Sequence, residues 1–175
     1  MKKLMLTLAA IATATVVNAA ACSWSGAGIT LQTGDVATQY TMYLLDASVT
    51  SASDMATYLS AGDTSKLAAA TVETTTGIAV GTTAARWNKA GFGDFTAGND
   101  YTFYTVILNN AVADANAYMI TAEKTSTAPD SGSLAMAFGT QASNTWNEMA
   151  SVPEPTSGLL LLLGVAGLAL KRKRA

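Results

Sequence analysis

Apolar and polar residues alternate along several segments of the chain, and this period of two predicts β-strands. Residues 29–33 alternate as a half-buried strand does, and residues 38–45 are rich in aromatic residues. The second half of 38–45 is apolar on both faces, which favours a central strand of a covered sheet. Residues 101–108 give the strongest pattern, with Phe103 and Ile107 on one face and Tyr104 and Val106 on the other.

A helical period of apolar residues appears in one stretch only, after residue 50. Met55, Tyr58 and Leu59 share one helical face, Ser53 is placed to cap the N-terminus, and Gly62 suits the C′ position. A second, alanine-rich helix is expected from Ser65 to Val72, with Asp63 or Thr64 as its cap. These two short helices interrupt an otherwise β-rich pattern.

The remaining segments are predicted from turn residues and short apolar runs. Glycines at 26 and 28 indicate an early turn, and residues 91–100 have the composition of a loop that holds two aromatic side chains. Residues 117–122 are expected to pair antiparallel with 101–108, and Trp146 to pack back on the domain. Further segments are a strand or loop at 73–85, a turn at 126–133 and a short strand at 134–138. The predicted fold is mainly β, an antiparallel sandwich-like single domain with one or two short helices.

The first 21 residues have the features of a secretory signal peptide. Lys2 and Lys3 form a positive start, residues 4–17 are apolar, and small residues follow. Val17-x-Ala19 and Ala19-x-Ala21 both fit the small-x-small pattern that signal peptidase cleaves. We therefore expect export, with a domain at residues 22–151 between two terminal targeting segments.

Cys22 follows Ala19-Ala20-Ala21, a sequence similar to a bacterial lipoprotein box. In such a box the cysteine is lipidated after cleavage, although the position three residues before it is usually leucine-like, and here it is Ala19. The alternative is a free or buried thiol near the mature N-terminus. The sequence leaves both open.

Composition excludes several classes of chemistry. The 175 residues include no histidine and one cysteine, so Ser-His-Asp and Cys-His catalysis, His-ligated metals, thiolate zinc sites and intrachain disulfides are all excluded. Outside the terminal segments, four basic residues stand against eleven acidic ones. Such an acidic domain offers no basic surface to a phosphate backbone, so we expect no nucleic-acid partner.

The C-terminal segment, residues 152–175, consists of three parts. Val152, Pro153, Glu154 and Pro155 begin it, residues 157–170 carry no charge, and the basic residues Lys171, Arg172, Lys173 and Arg174 end it. As a transmembrane helix, residues 156–170 would reach about 22 Å, short of a ~30 Å hydrocarbon core. The basic end is expected to stay cytoplasmic. This short span favours a transient signal over a permanent anchor.

These three parts, in this order, resemble the PEP-CTERM sorting signal of Gram-negative bacteria. The resemblance covers about 24 of the 175 residues and is accompanied by the expected signal peptide. It implies an inner-membrane precursor that an exosortase cleaves near Pro153–Pro155 and delivers to the cell surface or extracellular matrix. Many proteins of this kind accompany exopolysaccharide production. The resemblance implies nothing about residues 22–151.

Candidate sites within the domain are few. Trp87, Phe92, Phe95 and Trp146 could form an aromatic platform for a sugar ring, or serve as core residues. Asp94, Asn99 and Asp100 could supply oxygen ligands to Ca²⁺, or simply form turns. Nothing in the spacing of the carboxylates selects an acid/base pair, and no residue pattern indicates a catalytic, metal or cofactor site.

The sequence therefore predicts a non-enzymatic surface or matrix protein associated with exopolysaccharide. A carbohydrate-binding module of the matrix is the alternative, and a small carboxylate-dependent hydrolase is a weaker one. The expected partners are signal peptidase, the exosortase, the inner membrane before processing, and exopolysaccharide.

Overall fold

The computed structural model describes residues 19–29, 39–80, 84–141 and 145–150 of the chain. The predicted strand at 29–33 lies outside these residues except for Ile29, and so does the whole C-terminal segment. Most of the signal peptide also lies outside them. The described residues are mainly β with two short helices, which confirms the predicted class.

The described residues form nine strands and two helices. Up to Thr96 they contain two strands, both helices and then two long strands, and from Asp100 to Ala150 they contain strands alone. The elements are β1 (Ala19–Ile29), β2 (Gln39–Asp46), α1 (Ala52–Ser60), α2 (Ser65–Ala70), β3 (Thr71–Val80), β4 (Ala84–Thr96), β5 (Asp100–Leu108), β6 (Ala117–Ile120), β7 (Lys124–Thr127), β8 (Ser133–Thr140) and β9 (Asn147–Glu148).

All nine strands belong to one continuous hydrogen-bonded sheet. Its order is β8-β1-β4-β3-β2-β5-β6-β9, and β7 pairs with β5 beside β6. The described pairs are antiparallel except β1 and β8, which run parallel. The predicted pairing of residues 117–122 with 101–108 is confirmed over β6 and β5, where Ile107 lies opposite Met119.

The sheet curls, so that strands from its two ends meet. β6 and β7 occupy successive halves of the same edge of β5, and β7 then lies beside β8 at the opposite end of the strand order. No ladder joins β7 to β8 in the described chain. Instead, Lys124 Nζ donates a hydrogen bond to the Ala137 carbonyl oxygen at 2.7 Å. This junction between β7 and β8 leaves a groove, which is described below.

Helix α1 forms where the apolar period predicted it, although its cap differs. Ser51, not Ser53, is the N-cap, and its Oγ accepts a hydrogen bond from the Asp54 N–H at 3.1 Å. Gly62 occupies C′ with a φ of 75° and donates its N–H to the Leu59 carbonyl, as predicted. The second helix is confirmed but ends at Ala70, because the chain turns extended at Thr71 to begin β3.

Two apolar clusters lie on opposite faces of the sheet. The inner cluster lies within the curl, and its buried members are Ala20, Cys22, Trp24, Ile29, Tyr40, Met42, Leu44, Trp87, Phe95, Phe103, Ile107, Met119, Ala128, Leu134 and Met136. The helix-side cluster packs α1 and α2 against the other face, and its buried members are Leu45, Met55, Leu59, Leu67, Ala70, Tyr104, Val106, Leu108 and Tyr118. The alternating faces predicted for β5 are therefore confirmed.

The predicted turn at Gly26 and Gly28 is wrong, and so is most of the predicted loop at 91–100, of which only residues 97–99 form a turn. Gly26 and Gly28 lie within β1, and residues 91–96 continue β4. The β1–β4 ladder absorbs the glycines through register shifts between Ala20 and Ser23 and between Gly26 and Ile29. Glycine at these places marks bulges, because the strands around them continue to pair.

Candidate functional sites

The four aromatic side chains predicted as a possible sugar platform do not form an exposed surface. Trp87 and Phe95 are 3% and 8% exposed and belong to the inner cluster. Trp146 is half-buried and stacks on Tyr40, with ring centroids 5.6 Å apart, so it packs back on the domain as predicted. Phe92 is half-buried against the same cluster. The core interpretation of these residues is the one that the structure supports.

Trp24, which sequence reasoning did not single out, is the largest fully buried side chain of the inner cluster. It is fully buried, its ring lies edge-on to Trp87 at 6.0 Å, and its Nε1 donates to Thr105 Oγ1 at 3.0 Å. Trp87 Nε1 is also buried, yet it has no hydrogen-bond partner among the described residues. The available signal in the sequence was the alternation of Cys22 and Trp24 with two serines, but the glycines that follow obscured it.

Cys22 is a buried free thiol in the structure. Its side chain has no exposed surface and lies in the inner cluster between β4 and β8. Burial raises the pKa of the Cys22 thiol to about 11, so it is protonated at neutral pH and a poor nucleophile.

The three residues predicted as possible calcium ligands lie in strands and in a turn: Asp94, Asn99 and Asp100. Asp94 lies in β4, and Asn99 donates its N–H to Thr96 and accepts the Ala128 N–H through its carbonyl. Asp100 Oδ1 accepts a hydrogen bond from Thr127 Oγ1 across the β5–β7 pair. Within the described chain, no group of three or more acidic or sulfur side chains is arranged to hold a metal ion.

Three carboxylates come together around the N-terminus of α1. Asp46 Oδ1 accepts the Ser48 N–H, Asp54 Oδ2 accepts the Ser51 hydroxyl, and Glu123 Oε1 accepts the Ala52 N–H at 2.8 Å. Burial, together with the charges of these carboxylates, raises the pKa of Tyr104, whose hydroxyl donates to the Thr50 carbonyl. Their bonds hold a loop and a helix end, the usual structural use of acidic residues at a helix N-terminus.

The groove at the β7–β8 junction has a volume of about 310 Å³. The turn after β6 and the start of β7 form one wall, and the end of β8 forms the other. Its lining is Thr121, Ala122, Glu123, Lys124, Ala137, Phe138 and Gln141. A half-buried aromatic ring thus stands close to a carboxylate, an ammonium group and a primary amide.

Hydrogen bonds fix the polar groups of the groove. Glu123 is held through Ala52, Lys124 through the Ala137 carbonyl, and Gln141 Nε2 donates to the Phe138 carbonyl at 2.5 Å. The Gln141 backbone N–H bonds the Ala27 carbonyl of β1 at 2.8 Å. A groove with one aromatic ring and a few oriented polar groups is suited to a small polar ligand with an apolar face.

The end of the described chain is attached to the body of the domain. β9 pairs with β6, the Met149 N–H bonds the Asn116 carbonyl at 2.8 Å, and the Ala150 N–H bonds the Ser60 carbonyl at 3.2 Å. The predicted sorting residues, 152–155, begin just beyond this point. They and the basic residues at 171–174 lie outside the described residues. Among the described residues, no helix is long and apolar enough to span a membrane.

Comparison with known families identifies the C-terminal segment. Residues 151–174 match the model of the PEP-CTERM protein-sorting motif. This motif indicates an exported protein that an exosortase sorts, with a membrane-anchored precursor before cleavage. No curated protein and no solved structure matches the chain.

Proposed function

Because the chain carries a PEP-CTERM sorting motif, we propose that its β-rich domain is a non-enzymatic structural protein of the cell surface or extracellular matrix. Signal peptidase removes the N-terminal segment, the exosortase processes the C-terminal one, and the released domain associates with exopolysaccharide. The observation that carries this proposal is the motif itself, at residues 151–174.

The position of the motif relative to the fold supports this proposal. The Ala150 N–H makes the last backbone hydrogen bond of the described chain, to Ser60, and the motif residue Val152 follows two positions later. Cleavage near Pro153–Pro155 therefore removes no described strand and no member of either apolar cluster.

The roles of the polar side chains support a structural function. The carboxylates near α1 are engaged in capping, and Glu73 forms an ion pair with Lys89 at 2.8 Å. Lys89 also donates to the Thr74 carbonyl, so it links β3 to β4 where the two strands separate. Each of these groups makes a hydrogen bond or ion pair that holds a helix end, a loop or the sheet.

Immunoblotting of cell fractions with an antibody against the domain tests the proposed export and sorting. We expect a membrane-bound precursor and a shorter surface or matrix form, and the precursor alone when the exosortase gene is deleted. Replacing Pro153, Glu154 and Pro155 with alanine should have the same effect as that deletion. Pro129→Ala, which changes a turn proline outside the motif, is the matched control. Intact full-length chain in the cytoplasm would refute the proposal.

Carbohydrate binding by the β7–β8 groove is a second candidate function. A half-buried Phe138 ring beside Glu123, Lys124 and Gln141 offers an apolar face and fixed hydrogen-bonding groups, which is the combination that a sugar ring requires. Trp87 and Trp146 are less suitable for this role because they pack within the domain. The expected ligand is a segment of a hydrated matrix glycan.

Binding to matrix glycan in a pull-down assay tests this second candidate. Phe138→Ala should abolish retention of the exported protein, while Phe92→Ala, which removes a half-buried phenylalanine outside the groove, should leave it unchanged. Equal loss in both variants would point to unfolding, and circular dichroism of each variant distinguishes that outcome. Wild-type protein that binds no matrix glycan leaves the structural function alone.

A further inference from the structure

The start of β1 bears on where the exported domain begins. Two small-x-small sites overlap the beginning of this strand, and they predict cleavage after Ala19 or after Ala21. The strand itself begins at Ala19. The three alanines at 19–21 are therefore part of the folded sheet as well as part of the cleavage region.

These alanines form defined pairs in the sheet. Ala19 lies opposite Thr96 and Ala20 opposite Phe95 in β4, while Ala21 lies opposite Ser133 in β8. Ala20 is 2% exposed and belongs to the inner cluster, which also contains Phe95. Ala19, in contrast, is exposed.

The two cleavage sites leave different starts to this strand. Cleavage after Ala19 removes one exposed residue of β1 and its pairing with Thr96. Cleavage after Ala21 also removes the buried Ala20 and the Ala21–Ser133 pair. Because β1 is flanked by β4 on one side and β8 on the other, the longer deletion shortens both ladders of a central strand.

The thiol of Cys22 gives an independent reason. Lipoprotein processing also cleaves before Cys22 and attaches two acyl chains through its sulfur. In this fold the Cys22 side chain has no exposed surface and is surrounded by the inner cluster. A lipidated sulfur cannot occupy that position while β1 stays paired on both sides.

From these observations we propose that the exported domain begins at Ala20, after cleavage in the Val17-x-Ala19 site, and that Cys22 keeps a free, unlipidated thiol. This inference rests on the proposed export of the chain. Signal peptidase acts before the domain folds, so the fold does not direct the enzyme. The fold identifies the product that keeps the buried Ala20 and the Ala21–Ser133 pair of β1.

Intact-mass and N-terminal analysis of the protein recovered from the surface or matrix fraction tests the proposal. We expect a chain that starts at Ala20 and is heavier, by two alanine residues, than one that starts at Cys22. A wild-type start at Cys22, or an acylated Cys22, would overturn the proposal. Retention of Met1 with no exported form would instead contradict the proposed function.

Two variants show which of the two cleavage sites signal peptidase uses. Ala21→Val makes the last position of the second site too large and keeps a good strand former in β1, so processing after Ala19 should continue unchanged. Val17→Asp blocks the first site, and the precursor should accumulate or be cut to a Cys22 start. Loss of processing in Ala21→Val would overturn the choice of site. A Cys22-start chain with an unchanged urea midpoint would overturn the structural argument behind it.

Discussion

The two apolar clusters of this domain are built from different parts of the chain and by different means. The inner cluster draws on six strands and contains two tryptophans and two phenylalanines that are buried together. The helix-side cluster joins two short, adjacent helices to one face of the sheet, largely through leucine and methionine. Its two buried tyrosines, Tyr104 and Tyr118, donate their hydroxyls to the backbone of Thr50 and Ala56.

The difference shows how much of each cluster depends on distant pairing. β2 and β5 supply residues to both clusters, one from each of their two faces. The inner cluster forms only when β1, β4 and β8 curl around β5. The helix-side cluster needs local helices and one neighbouring sheet face. We therefore expect the inner cluster to be the more sensitive to substitution.

The largest expected loss of stability follows from truncating a buried side chain at the centre of each cluster. Trp24→Ala should lower the free energy of unfolding by about 3–5 kcal/mol, since it leaves a large cavity and removes a hydrogen bond. Leu59→Ala on α1 should lower it by about 2–4 kcal/mol. Urea denaturation of the exported protein measures both. A greater loss for Leu59→Ala would contradict the ranking of the two clusters.

A smaller effect is expected where the inner cluster touches the backbone of β1. A Cβ at Gly26 would lie 2.1 Å from the Trp87 ring, so Gly26→Ala forces the ring to move and should cost about 1–3 kcal/mol. Gly91→Ala is the control, because its Cβ meets nothing within 4 Å and only its φ of 76° is unfavourable. Trp87→Leu should recover part of the Gly26→Ala loss. Absence of any recovery would show that the contact with Trp87 is not the cause.

Alkaline pH should affect the two clusters in successive ranges. The folded Cys22 thiol, with its pKa raised to about 11, stays protonated where the unfolded chain has already ionised. Stability therefore falls as pH rises from about 9 to about 11, by at most about 1.4 kcal/mol per pH unit. The raised pKa of Tyr104 adds a further decline above about pH 10.

Two variants assign these ranges. Cys22→Ala should flatten the fall in stability between pH 9 and pH 10, and Tyr104→Phe should reduce only the steeper part above it. Urea midpoints measured across the range, with wild type alongside, give both slopes. An unchanged slope in Cys22→Ala would show that the buried thiol is not responsible.

The smallest expected effect compares the two tryptophans within the inner cluster. Trp24→Phe leaves the Thr105 hydroxyl without its indole partner, while Trp87→Phe removes a buried N–H that has no partner among the described residues. Losing a made hydrogen bond costs more than losing an unmade one, so Trp24→Phe should be the more destabilising by about 1–2 kcal/mol. Equal losses in thermal denaturation would contradict this assignment.

Sequence reasoning succeeded where a pattern depends on neighbours in the chain. The apolar face of Met55 and Leu59 predicted α1, and the alternation in residues 101–108 predicted the two faces of β5. It failed where glycine interrupted a strand, since Gly26 and Gly91 are equally suited to a turn and to a bulge. The partner strand decides between them, and a partner strand cannot be read from local composition.

The candidate site shows the same limit. Glu123, Lys124, Phe138 and Gln141 are ordinary residues in two separate segments, and nothing in their spacing predicts that they line one groove. They meet because β7 follows β6 along one edge of β5 while β8 pairs with β1, so that the curled sheet brings β7 beside β8.

The sequence by itself determined the sorting motif of this protein and the absence of histidine chemistry. Sorting motifs are recognised as linear segments, and a chain without histidine has no imidazole chemistry in any fold. Only the tertiary structure decided which aromatics are buried, which lysine spans the groove, and that Ala20 belongs to the inner cluster. Those properties depend on which distant strands pair, and pairing is selected by burial over the whole sheet.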